Sequence, residues 1–278
     1  MAEALTERFD GRNVLITGAG RGIGKRLALG FARAGARVGL LARTRAELDL
    51  VHLEIQHAGG SSLRLLADVR DYGAVCGAVR RMREAFGGTH VLVAAAAIQG
   101  PIGPLWSTDP EAWAATVEVN LIGVMHACRA VLHEMIERRS GKIIVLTGGG
   151  DTHPRPNFSA YAASKAAVAR FVETLAKEVR DANVQVNCFS PGGTYTHMTD
   201  EILRAGERAG QKELERARTI QLTGGHAPDE QIALAFFLAS QRSNHISGKI
   251  LHVDDDWRRL EHTNSHAELF TLRRVRKL

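Results

Sequence analysis

The amino-acid sequence predicts an α/β domain, a single doubly wound parallel sheet with helices on both faces. Three observations carry this. Short apolar runs rich in β-branched residues alternate with helix-period stretches along most of the 278 residues, the pattern of strands buried on both sides. A glycine-rich turn joins the first of these runs to the first helical stretch. No internal repeat or low-complexity linker breaks the alternation.

NVLIT (13–17) is the first strand, and the helical GIGKRLALGFARAG follows its glycine turn. ARVGLLAR (36–43) is the second strand; the helical TRAELDLVHLEIQHAGG after it closes on glycines, as a helix C-terminus does. LRLLADV (63–69), HVLVAAA (90–96), KIIVLT (142–147), VQVNCFS (184–190) and KILHV (249–253) supply further strands. Helical patterns separate them at 71–86, 109–138, 157–182 and 228–240. Right-handed crossovers wind such a chain to both sides of one sheet, and ligands then bind beyond the carboxyl ends of the strands. Every chemically suggestive segment here follows a strand.

Composition excludes several classes. Hydrophobic residues at 45% and charged residues at 24% are ordinary for a globular chain with a proper core. No apolar run approaches the roughly 20 residues of a membrane span, and MAEALTERFDGRN lacks a signal-peptide apolar core. Cys76, Cys128 and Cys188 are far apart, which argues against disulfides or a structural metal site and fits a reducing cytoplasmic setting. His126 and Cys128 fall on different faces of a helix and read as structural. The segment Trp257–Leu278 carries +4 of the net +6, so the body is nearly neutral. That distribution argues against nucleic-acid binding. Residues 1–255 are expected to form one domain, with 256–278 a basic C-terminal extension.

After NVLIT the chain reads Thr17, Gly18, Ala19, Gly20, Arg21, Gly22, Ile23, Gly24. Glycines between a strand and a helix allow a tight turn and close approach to a pyrophosphate at the helix N-terminus. This makes the sheet Rossmann-type and the ligand a dinucleotide. An acid at the end of the second strand would bond the ribose 2′-hydroxyl of NAD, whereas an arginine suits the 2′-phosphate of NADP. Here that end carries Arg43, and Arg21 lies in the turn, so NADP is favoured over NAD. Asp68 is placed either to meet the adenine or to cap the next helix.

Tyr161 and Lys165 are four residues apart, neighbours on one helix face. A nearby ammonium favours phenolate and lowers a tyrosine pKa, which suits general acid–base work on a carbonyl/alcohol pair. With TGAGRGIG at 17–24, ADV at 67–69, VNLIG at 119–123, YAASK at 161–165 and SPGGTYT at 190–196, the chain resembles the short-chain dehydrogenase/reductase family over about residues 10–255. The resemblance implies hydride transfer between a nicotinamide cofactor and an alcohol or ketone. It makes Tyr161 the proton donor or acceptor, with Lys165 on the nicotinamide ribose. Asn120 would position a water in a proton relay, although alone it reads equally as a buried amide bonded to backbone. Val69, Ala95, Ala96, Pro191, Gly192, Thr194 and Thr196 would line the cofactor, and Thr196 also suits a helix N-cap.

Two departures stand out. Ala94–Ala97 replaces the family's Asn-Asn-Ala-Gly, so altered cofactor seating is expected. The family's carbonyl-polarising serine falls thirteen residues before the tyrosine, which here is Gly148; Thr147 is the nearest hydroxyl, ahead of Thr152 and Ser159. These departures keep open a second reading, a cofactor-binding regulatory or scaffold subunit without dehydrogenase activity. The stretch after SPGGTYT, with Met198, Ile202 and Leu203 among many charges, corresponds to the family's substrate lid. His153, Arg155 and His197 near the cleft point to a polar or anionic substrate. The resemblance implies a homodimer or homotetramer, and the tail is expected to pack on a neighbouring subunit.

Overall fold

Strand alternation sorts this chain into two cores. The computed structural model describes residues 7–261 and 270–273. Seven strands, β1 (Asn13–Thr17), β2 (Arg37–Ala42), β3 (Ser61–Leu66), β4 (Val91–Ala94), β5 (Gly141–Leu146), β6 (Val184–Ser190) and β7 (Ile250–His252), form one sheet. Their order is β3-β2-β1-β4-β5-β6-β7, with every pairing parallel. The order reverses between β1 and β4, and a crevice opens at such a switch point.

Side chains on a strand alternate between faces. Val14 and Ile16 therefore join the core under α1 (Gly22–Arg33), α2 (Arg45–His57) and α9 (Pro228–Ala239). Leu15 turns the other way, into the core under α3 (Tyr72–Phe86), α5 (Gly123–Arg138) and α6 (Ser159–Glu178). The doubly wound sheet is thus the one the alternation predicts, with strand ends within two residues of expectation except that β3 stops at Leu66, three residues before Val69.

The helical pattern at 109–138 forms α4 (Pro110–Val117) and α5, joined without a break by a π-helical turn at Glu118–Ile122. By length and composition alone Pro110–Arg138 could cross a membrane, its most apolar 18-residue stretch having a mean hydropathy of 1.3. Its apolar residues Val124, Ala127, Cys128, Val131 and Met135 are instead buried against the sheet. The stretch after β6 folds as α7 (His197–Ala205), a 3-10 turn and α8 (Gln211–Thr223), packed through a small core of Phe158, Tyr161, Ile202, Ala209 and Ala217.

The start of the expected extension closes on its own chain. Trp257 and Leu260 are buried in the first core, Trp257 with its ring 5.2 Å from that of Phe237. Arg242 holds Glu261, Arg170 donates to the carbonyl of Leu272, and Arg273 pairs with Glu173 at 2.6 Å. Described residues on both sides of position 255 thus pack together on the chain's own body. The rest of the tail, including Glu268, Arg274, Arg276 and Lys277, lies outside the described residues.

Candidate active site

The end of β1 builds the floor of the crevice. Thr17 does not line it; its Oγ1 accepts hydrogen bonds from the N–H groups of Ala95 and Ala96, both 3.1 Å. That ties the alanine segment after β4 to the glycine turn. Gly18 takes φ +67°, and a Cβ there would meet the Ala96 backbone at 2.8 Å; one on Gly24 would stand 2.2 Å from the Gly18 carbonyl oxygen. Only glycine fits either place. The N-cap residue of α1, Arg21, makes no capping hydrogen bond with its side chain, and the first turn of the helix holds no acid. Uncapped N–H groups at the positive end of a helix fit a phosphate, so the residues present suit a dinucleotide.

Arg21 and Arg43 line the crevice, and so does Glu47, which no sequence motif marks. Glu47 follows the end of β2 by one helical turn, which is what brings it beside Arg21 at 3.5 Å. Asp68 lines the wall and is gripped by Arg70, which holds its carboxyl below the usual range. The capping alternative for Asp68 fails: Asp71 caps α3 by accepting from Ala74 N–H.

Tyr161 and Lys165 stand on α6, both buried. Lys165 Nζ donates to the Leu146 carbonyl at 2.7 Å and lies 5.6 Å from the Tyr161 ring centre. Burial drives Lys165 down to about 8. Burial also pushes the Tyr161 hydroxyl above its ordinary value, and the cation that opposes this is Arg155, with Asp151 adding to the rise. The expected lowering by Lys165 is therefore not what this arrangement produces: loss of water dominates, and Arg155 is the cation that opposes it. Arg155 lies 5.5 Å from the Tyr161 ring and donates twice to Glu213 on α8, at 3.0 and 2.6 Å. This pair ties α8 to the segment that leads into α6 and Tyr161.

Asn120 is fully buried and does not line the crevice. Both N–H bonds of its amide are used, one to the Ile98 carbonyl at 3.0 Å and one to Ser164 Oγ at 3.1 Å. Its Oδ1 accepts from Ile98 N–H at 2.9 Å. The buried-amide alternative describes its side chain, and a relay role for those N–H groups is left without a free donor.

One cavity of about 590 Å³ is lined by every proposed cofactor and catalytic residue except Thr17 and Asn120. Among the described residues, two of its buried side-chain atoms lack a hydrogen-bond partner, Thr147 Oγ1 and Gln99 Nε2. Thr152 is exposed outside the cavity, and Ser159 Oγ is taken by Trp113 Nε1 at 3.1 Å. Gln99 was passed over because a lone glutamine after a strand has no motif. Thr194 Oγ1 accepts from Gln231, and Thr196 caps α7, its N–H bonded to Thr199 Oγ1 at 3.2 Å. Arg155, His197, Met198 and Ile202 line the cavity, whereas His153 and Leu203 do not. Cys76, Cys128 and Cys188 are free, and no cluster of metal-ligating side chains occurs among the described residues.

A glycine-floored crevice at the switch point of a doubly wound sheet, with a buried tyrosine and lysine beside it, defines a dinucleotide-fold oxidoreductase. The chain belongs to the short-chain dehydrogenase family, whose model matches residues 12–206. It is 36% identical to galactitol 2-dehydrogenase (L-tagatose-forming) of Cereibacter sphaeroides, over 89% of this chain and 95% of that one. It is 33% identical to 2,3-dihydro-2,3-dihydroxybenzoate dehydrogenase of Bacillus subtilis, over 88% and 95% of the two chains. The structure of a gluconate 5-dehydrogenase from Burkholderia cenocepacia in complex with NADP and tartrate superposes with a TM-score of 0.79 at 31% identity, covering 90% of this chain and 97% of that one.

Proposed function

We propose that this protein moves a hydride between NADP(H) or NAD(H) and an alcohol/carbonyl substrate, with Tyr161 as the general acid or base. The observation that carries this is the common cavity: the glycine turn, Tyr161, Lys165 and Thr147 all border it. Hydride chemistry is what a nicotinamide contributes when bound; the chain supplies everything else. Gly18, Gly20, Gly22 and Gly24 let the backbone approach the phosphates, and Lys165 holds the nicotinamide ribose. Tyr161 exchanges the proton with the reacting oxygen, and Thr147 Oγ1, buried and without a partner, donates to the same oxygen in place of a serine. Arg21 and Arg43 favour the 2′-phosphate of NADP; the pairing of Glu47 with Arg21 reduces its call on a ribose hydroxyl.

A catalytically silent subunit would have no need of a buried tyrosine and lysine on one cavity wall. Tyr161→Phe keeps the ring and removes the transferable proton. It should abolish turnover while cofactor affinity, read by fluorescence titration with NADP(H) and NAD(H), stays within about twofold. Undiminished turnover would sink the reading.

The protein is also proposed to act as a homodimer or homotetramer. Ile122 and Ile136, 38% and 44% exposed along one continuous helix, support this. Sedimentation giving a monomer at micromolar concentration would refute it.

A further inference from the structure

Gln99 is only 3% exposed, and its Nε2 has no hydrogen-bond partner among the described residues. A buried amide with an unmade bond is costly unless something else answers it. The same side chain borders the cavity shared by Tyr161 and Thr147.

Its backbone is held from both sides. Ile98, just before it, is gripped by Asn120 through two hydrogen bonds of 2.9 and 3.0 Å. Asn120 is bonded in turn to Ser164, whose Oγ donates to the Tyr161 carbonyl at 2.7 Å, so the clamp is anchored on the helix that carries the tyrosine. Gly100, just after it, takes φ +72°, and a Cβ there would stand 2.2 Å from Thr116 Oγ1. Only glycine makes that turn. Such pinning is how a fold fixes a binding group before its ligand arrives.

A carbonyl oxygen has two lone pairs, and in the function proposed above Tyr161 and Thr147 use both. A third donor in the cavity therefore serves a different oxygen. Thr147 directly follows β5, and Gln99 stands in the loop five residues after β4, the neighbouring strand paired with β5 at Ala94 and Val145. Segments that leave adjacent strands start about 5 Å apart, and with the loop pinned at Ile98 this suits neighbouring substrate oxygens.

We propose that Gln99 is a substrate-positioning residue whose amide hydrogen-bonds a second oxygen, on the carbon next to the one that gains or loses hydride. The substrate class is then a vicinal diol and its hydroxyketone. In the oxidising direction a bound nicotinamide would take hydride from the reacting carbon, whose hydroxyl would give its proton to Tyr161 in its phenolate form. The second oxygen keeps its hydrogen and only orients the molecule. This rests on the oxidoreductase reading and deepens it.

The test compares cyclohexane-1,2-diol with cyclohexanol, in wild type, Gln99→Leu and Gln99→Glu, with NADP and NAD. Wild type should prefer the diol in kcat/KM, because a site built for a hydrogen bond discriminates strongly against an analogue that cannot make it. Gln99→Leu should lower kcat/KM for the diol about tenfold to a hundredfold and leave cyclohexanol within about twofold. Gln99→Glu, which still accepts from a hydroxyl, should recover part of the diol rate. Cofactor affinity should not move in either variant. Equal losses on both substrates, or a changed cofactor affinity, would overturn the assignment and leave the oxidoreductase reading standing. No turnover of either substrate by wild type would overturn both.

Discussion

Gly148 lies against the hydroxyl of Tyr161: a Cβ built on it would stand 2.8 Å from Oη. The position where the family places its serine is therefore filled from the tyrosine side. Gly148→Ala should displace the phenol by a few tenths of an ångström and lower kcat about tenfold, since small misplacements of catalytic groups cost heavily. Cofactor affinity should be unchanged. Steady-state kinetics beside a fluorescence titration check both halves, and an unaltered kcat would show that Oη does not need its present place.

Thr147 offers a cleaner separation of catalysis from stability. Its Oγ1 is buried without a partner, so Thr147→Val removes a polar atom that the fold does not satisfy. Unfolding free energy should stay level or rise by up to about 1 kcal/mol. Turnover should fall about a hundredfold, the usual loss when one donor to a developing oxyanion is removed. Urea unfolding and kcat measured on the same preparation decide it; a hundredfold loss accompanied by a large drop in stability would assign Thr147 to packing instead.

Lys142 carries a pH signature at the opposite end of the sheet. Burial drives it from 10.5 down to about 7, with Arg12 pushing the same way, and its Nζ donates to Ser243 Oγ at 3.2 Å. Between those two values the unfolded chain binds a proton that the folded chain has released, so raising the pH through this window stabilises the fold. Below about 7 both states are charged and the buried ammonium is a standing cost. Lys142→Met should therefore gain most over wild type at pH 6, with the gap closing by pH 10. Denaturant unfolding of both proteins across that range is the check, and a constant gap would exclude the titration.

Much of this molecule was legible from local pattern. The period-two alternation of Val14, Leu15 and Ile16 already separates the two cores, and TGAGRGIG announces its turn because only glycine fits at Gly18 and Gly24. Asn120 was visible as a motif member, but its spending on Ile98 and Ser164 was not, because those partners are 22 and 44 residues away. The same holds for Arg155 and Glu213, 58 residues apart, and for the direction of the Tyr161 shift. Spacing puts Lys165 beside the tyrosine; the depth at which both are buried is a property of the whole fold.

By itself the sequence determined the parallel sheet, the glycine turn, the Tyr161–Lys165 pair and the family, since each depends on residues close in the chain or on motifs in fixed order. Only the tertiary structure decided that Thr147 Oγ1 is left buried without a partner at the cavity, that Trp257 belongs to the core, and that Gln99 faces the cavity with an unanswered amide. The physical reason is common to all three. Burial and hydrogen-bond satisfaction are settled by whichever distant segments pack around a residue, and no local spacing records that.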